Sequence, residues 1–206
     1  MKKSHEAEAC GRIALAILSF FVGLPPDVWA GPEGAQVLHG QVQFQQQGAQ
    51  TTIQASDRAI IQYSGFDIGA HETVQFVQPS AWAWVLNRIQ SGAPTSISGS
   101  LLANGRVALV NPAGVYFGPS ARVDVSRLLA SGMNLSDASF LSGEWEFLGC
   151  NGSVVNEGQL NAERIYLVGR EVVNHGSLIA PDGLWVVAAG ERALLRESEG
   201  PVYVEV

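Results

Sequence analysis

An internal echo constrains this chain more than any other feature. Val155-Asn156-Glu157-Gly158-Gln159-Leu160-Asn161-Ala162 matches Val173-Asn174-His175-Gly176-Ser177-Leu178-Ile179-Ala180 at five of eight positions, 18 residues apart. Gly99-Ser100-Leu101-Leu102-Ala103 repeats the second half of the same pattern. Self-similarity at a fixed short period marks a solenoid, in which each repeat buries its apolar face only against its neighbours. A period near 18 fits one coil of a parallel β-helix made of three short strands and three bends. In such a coil aliphatic residues stack inward, and each strand pairs with its equivalents above and below at ~4.8 Å. Gly158 and Gly176 then fall where the chain bends with positive φ or passes close to the next coil. Asn156 and Asn174 occupy equivalent corners, where side-chain amides can bond neighbouring coils.

Glycine and proline punctuate the rest so evenly that the longest stretch free of both runs only from Ala49 to Ser64. Its isoleucines, Ile53, Ile60 and Ile61, do not recur at helical spacing. Residues 52–55 and 60–63 read as short strands, as do 74–78, 82–89, 106–110, 122–125, 144–148, 164–168, 184–188 and 202–206. None of these segments has a helical pattern, so the expected class is all-β.

Residues 1–30 have the layout of a secretory signal. Lys2, Lys3 and Arg12 precede an apolar run over 13–24, and Ala30-Gly31 follows as the expected cleavage point. The run is shorter than the ~20 apolar residues of a membrane span. The remaining 31–206 suit one domain with its own core, its N-terminal cap expected over about 31–60. That part keeps nine Arg against sixteen Asp plus Glu and has no Lys, so it stays at net −7. A groove that tracks phosphates needs clustered cations, so nucleic acid is not an expected partner. Cys10 leaves with the signal and Cys150 remains alone, which rules out an intrachain disulfide and makes packing the source of stability.

From about Gln41 to Ala189 a series of ordered motifs can be followed. They are Ile60-Ile61-Gln62-Tyr63-Ser64-Gly65-Phe66-Asp67-Ile68-Gly69, Glu72-Thr73-Val74-Gln75-Phe76 with Gln78-Pro79-Ser80, Val85-Leu86-Asn87-Arg88-Ile89, Ala103-Asn104-Gly105-Arg106-Val107 and Leu109-Val110-Asn111-Pro112-Ala113-Gly114-Val115-Tyr116-Phe117-Gly118. In this order and spacing the chain resembles the two-partner secretion domain, or haemagglutination-activity domain, of filamentous haemagglutinins and related adhesins. Two positions depart from the usual pattern. Ala113 stands where a second Asn is common, and Trp82 and Trp84 stand where small or aliphatic residues are usual. Alternation would set both tryptophans on one strand face, where they cover an exposed flank in preference to forming a carbohydrate-stacking platform.

The resemblance implies a right-handed parallel β-helix with an N-terminal β cap, acting as a secretion address and not as an enzyme. It implies passage through the general export machinery, recognition by an outer-membrane β-barrel transporter with periplasmic docking domains, and a secreted or cell-surface destination. A host or surface receptor and an adhesin role go with that destination. No cofactor or metal is expected. Asn87, Arg88, Asn111, Pro112 and Gly114 are the residues the resemblance marks for transport. Asn111, Pro112 and Gly114 are expected to shape coils through their turn, and Arg88 to contact the transporter unless it is paired with a carboxylate. The terminal alternation of Val202, Val204 and Val206 implies either more chain in a longer adhesin or a capped short form.

The rivals are a β-helix polysaccharide lyase or hydrolase and a stand-alone structural surface module, since fold does not fix function. An enzyme needs acids and bases converging from adjacent strands. Glu144 and Glu146 share a face as ordinary solvated charges, while Asp57, Asp67, Asp124 and Asp182 are scattered. His39, His71 and His175 lack metal-ligand spacing.

Overall fold

The computed structural model describes residues 31–149, 152–181, 183–196 and 203–205. The proposed leader 1–30, Cys150, Asp182, Val202 and Val206 lie outside the described residues. The chain is nearly all strand and winds as a parallel β-solenoid of about six turns.

The coils run through three sheets, and four of them lay a strand in all three. A broad sheet stacks Ala59–Tyr63, Trp84–Ile89, Arg106–Val110, Arg127–Ser131, Arg164–Gly169 and Leu184–Ala189 in parallel. A second stacks Gln50–Ala55, Thr73–Val77, Ser100–Ala103, Arg122–Asp124, Gln159–Asn161 and Ser177–Ile179. A narrow sheet stacks Thr95–Ile97, Val115–Phe117, Val154–Asn156 and Val172–Asn174. Along the axis Val74, Leu101, Val123, Leu160 and Leu178 form one aliphatic column. These residues face the lumen because a strand sends alternate side chains to opposite faces.

The 18-residue echo holds where it was read, since Gln159–Asn161 pairs with Ser177–Ile179 in that register. Earlier coils are longer: Ser100 pairs with Arg122, 22 residues on, and Arg122 with Gln159, 37 on. The core fixes only the strands, so the bends absorb the difference in length.

The N-terminal strands Pro32–Glu33, Gln36–His39 and Val42–Gln47 run antiparallel to Gly65–Phe66, Ala59–Tyr63 and Gln50–Ala55. They close the edge of the first coil, which would otherwise offer unpaired backbone groups.

The longest coil carries an excursion, Asn134–Leu135, a short helix Asp137–Ser142 and Glu144–Leu148, that leaves the solenoid and folds over the outer face of the broad sheet. This short helix is an addition to an otherwise all-β chain that the sequence did not indicate. Ser136 caps it through Ser139 N–H, and Gly143 ends it at φ +79°, a conformation glycine adopts at no steric cost. With six residues it has no stripe that a periodicity search could register. Strand 144–148 is likewise no rung of the solenoid, for it pairs antiparallel with Arg192–Arg196. Two cores result. One fills the lumen, and the other is clamped between the broad sheet and the excursion, where Trp84, Leu86, Leu129 and Tyr166 meet Leu135, Phe140, Trp145 and Phe147.

Candidate functional site

The five marked residues do not converge on one surface patch. Asn87 and Arg88 are consecutive on Trp84–Ile89 and therefore point to opposite faces. Asn87 is fully buried in the lumen beside Val85 and Ile89, and its Nδ2 donates to Ala108 O at 3.2 Å in the next coil. Arg88 points outward beneath the excursion. Its Nη1 lies 2.5 Å from Asp137 Oδ1, and its Nη2 donates to Leu135 O at 2.6 Å. Arg88 is 9% exposed and is paired with a carboxylate, the condition under which the expected contact role does not apply. Its geometry is that of a tether between broad sheet and excursion.

Asn111, Pro112 and Gly114 make the corner between the broad and narrow sheets. Gly114 N donates to Asn111 O at 2.8 Å, so the turn closes although Ala113 has no side chain to bond back. Asn111 is 1% exposed and bonds in two directions. Its Oδ1 accepts from Ala113 N–H at 2.9 Å, while its Nδ2 donates to Ala93 O at 2.9 Å and Thr95 Oγ1 at 3.0 Å in the preceding coil. Gly114 has φ +121°, and a Cβ there would come within 2.9 Å of Ser153 O in the following coil. The corner thus fixes the chain to the coil below and leaves room for the coil above.

Comparable staples recur at other corners. Asn156 Nδ2 donates to Asn174 Oδ1 at 2.7 Å across one 18-residue step, as the echo implied. Gly158 and Gly176 are close-approach glycines, not positive-φ ones: a Cβ on Gly158 would meet Ala121 O at 2.7 Å, and one on Gly176 would fall on Gly158 O. Gln78 and Asn104 form a corner for which sequence reasoning assigned no role. Gln78 N–H donates to Asn104 Oδ1 and Asn104 Nδ2 to Gln78 O, both at 2.7 Å, while Gln78 Nε2 reaches Ala83 O and Arg106 O. The signal was present as Asn104-Gly105, one more Asn beside a glycine packed against a neighbouring coil.

The acids proposed for a catalytic alternative are engaged elsewhere. Glu146 bonds Arg192 at 2.8 Å and Glu144 lies 3.5 Å from Arg196, both across the antiparallel pair. Asp57 accepts from Trp84 N–H, Asp67 from Ser96 N–H and Asp124 from Asn161 Nδ2. Tyr116 Oη donates to Glu157 Oε2 at 2.5 Å, and that bond, followed by burial and the carboxylate's charge, holds the phenol above its usual range. Among the described residues no three His, Cys, Asp or Glu side chains group as metal ligands would. Trp82 and Trp84 lie on the same side, both against the Arg106 guanidinium, but only Trp84 belongs to the strand. Trp84 begins the strand and is buried edge-to-face against Trp145, whereas Trp82 precedes the strand and is 62% exposed.

Residues 29–200 match a family model described as the TPS secretion domain. Two curated relatives are heme/hemopexin-binding proteins of Haemophilus influenzae. One is 36% identical over 118 residues, covering 56% of this chain and 13% of the relative. The other, from strain ATCC 51907 / DSM 11121 / KW20 / Rd, is 31% identical over 161 residues, covering 72% of this chain and 18% of the relative. The chain therefore spans only a small part of the length of either. Among solved structures, the HMW1 secretion domain from Haemophilus influenzae superposes with a TM-score of 0.71 at 26% identity, covering 80% of this chain and 46% of that one. A filamentous hemagglutinin secretion domain superposes at 0.59 with 17% identity, covering 79% and 65%, a likeness of fold alone.

Proposed function

The chain belongs to the TPS secretion domain family, and from that premise we propose that it is the secretion address of a filamentous-haemagglutinin-like exoprotein with an adhesin role. Proteins carrying this domain are secreted and have an outer-membrane transporter as partner. In the proposed route residues 1–30 direct export across the inner membrane and are removed between Ala30 and Gly31. The periplasmic docking domains of the barrel then bind the unfolded 31–206, which winds into its solenoid at the cell surface. A host or surface receptor would be met there by the whole exoprotein.

The observation that carries this reading is the family match over 29–200. The coil geometry supports it physically. Each coil pairs in parallel register with the one before, so a coil that has formed outside presents both a backbone edge and a lumenal column to the next. Folding then draws the chain outward without a nucleotide, because each added coil gains hydrogen bonds and core burial on a finished template. On this reading Asn87, Asn111, Pro112 and Gly114 act by fixing coil register and Arg88 by holding the excursion, so they affect transport through the fold that drives it. Among the described residues, Glu144 and Glu146 of the enzymatic alternative sit in ion pairs and Asp57, Asp67 and Asp124 in hydrogen bonds that hold the coils.

Expression with and without the partner barrel tests the proposal. The chain should reach the medium only when the barrel is present. Equal amounts outside the cell in its absence would remove the transporter from the account.

A further inference from the structure

We propose that the outer edge of Val42–Gln47 is a self-association surface, on which a second copy of this chain lays its own Val42–Gln47 antiparallel about a two-fold axis. The N-terminal strands close the first coil, but in doing so they pass the open edge on to this strand. It ends its sheet, and among the described residues it pairs with Gln50–Ala55 alone. Ser56 N–H donates to Gln41 O. Bonding residues alternate along an antiparallel pair, so the odd-numbered ones bond within the hairpin and the backbone groups of Val42, Phe44 and Gln46 face away from it.

Sheet edges are ordinarily guarded by charge, proline or a bulge, and this one has none of them. Its register with Gln50–Ala55 runs unbroken over all six positions, whereas Gln36–His39, at the same end of the solenoid, is bulged between Val37 and His39. From Gly40 to Ser56 the sequence has no charged residue and no proline, but it has seven glutamines.

What the edge carries suits a copy of itself. A glutamine amide both donates and accepts, so it complements another glutamine, and like amides form ladders along paired strands. A charged partner would meet no counter-charge in this stretch. Apolar cover is also wanting here. Phe44 lies opposite Ile53 and Val37 opposite Ile61, both of the lumenal core, yet Phe44 is 44% and Val37 40% exposed. The lumen is therefore uncovered at the end where the backbone edge is open.

A register centred on Phe44 sets it against Phe44 of the second copy, Val42 against Gln46 and Gln43 against Gln45. Every outward backbone group of Val42, Phe44 and Gln46 then has a partner, each side chain stays on the face it already occupies, and the two lumen ends abut. The same patch serves both copies, so assembly through it closes at two.

Sedimentation equilibrium of the purified chain tests the proposal, with a readout separate from that of the secretion assay. The chain should pass from monomer to dimer with a Kd of about 10–100 µM, the strength of a small transient contact. Phe44→Glu and Phe44→Lys should each weaken association about tenfold or more, because like charges then meet at the axis. An equimolar mixture of the two should recover it, which requires position 44 to face itself. Gln46→Pro removes an outward N–H and no bond of the hairpin, so it should weaken association similarly while the melting midpoint stays near that of the parent. Trp185→Lys, at the opposite end of the solenoid, should associate as the parent does. The proposal fails if the parent is still monomeric at about 1 mM, if Phe44→Glu and Gln46→Pro dimerise like the parent, if the mixed charge variants do not associate, or if Trp185→Lys abolishes the dimer.

Discussion

Replacing Asn111 by Ala removes four side-chain hydrogen bonds: those from Ala113 N–H and to Ala93 O and Thr95 Oγ1 are no longer than 3.0 Å, and a weaker one reaches Ser91 Oγ at 3.4 Å. Each of the three short ones contributes about 1 kcal/mol net. Ala93 is exposed, so water can replace one lost donor, and the expected loss is about 2–3 kcal/mol. Urea unfolding of the purified chain should show it as a lower midpoint at unchanged slope. In a thermal melt it should appear as a fall of roughly 5–10 °C. Asn111→Asp refines the test. It keeps an oxygen for Ala113 N–H but turns a second, charged oxygen toward Ala93 O in a site 1% exposed. It should therefore be at least as damaging as Ala, despite its similar shape. A midpoint within about 0.5 kcal/mol of the parent for Asn111→Ala, or an Asp variant more stable than the Ala variant, would refute the stapling argument. Secretion separates shaping from contact. If Asn111 acts through the coil, export should fall in step with stability across both variants, and a variant of parental stability that is not exported would place Asn111 against the transporter.

Asp137→Ala should destabilise more than Arg88→Met in parallel melts, because the first leaves a buried guanidinium without its carboxylate while the second removes the charge and keeps the packing. Gly176→Ala should cost about 3 kcal/mol or more, since the new Cβ would fall on Gly158 O in the coil below and neither backbone can move without losing register. Tyr63→Phe should stabilise the chain by about 1 kcal/mol at neutral pH, because the Tyr63 hydroxyl is buried with no partner among the described residues. Burial also raises the Tyr63 pKa above the ordinary tyrosine range. The unfolded chain releases that proton near pH ~10 while the folded one retains it, so stability should decline as pH rises past ~10. The Phe variant should lose Tyr63's share of that decline, and an identical alkaline slope for both chains would contradict the assignment.

Local pattern was enough to place most of the solenoid. Residues 106–110 form a rung over the span their sequence indicated, and 144–148 form a strand over theirs, although outside the solenoid. The Asn156–Asn174 rung lies at the spacing of the echo, because stacked coils repeat chemistry wherever the bends have equal length. The Asn-Pro-Ala-Gly turn was equally legible, since Pro112 and Gly114 specify its backbone without help from distant residues. The partners of those elements were not legible. Arg88 and Asp137 are far apart in sequence, and nothing near either one announces the other. Trp82 and Trp84 alternate in sequence, but the strand begins only at Trp84, so one becomes core and the other surface.

The structure shows why the excursion is there. Arg106–Val110 and Arg127–Ser131 are buried at every position, and such runs need cover on both faces of a sheet. Sequence by itself determined the rungs and their corners, because strand alternation and turn geometry are local. Only the tertiary structure showed that the broad sheet is covered on its outer face, and by what. Phe140, Trp145 and Phe147 pack on the outer face of the broad sheet and Arg192–Arg196 closes the excursion's free edge, contacts between segments far apart in sequence that no local pattern specifies.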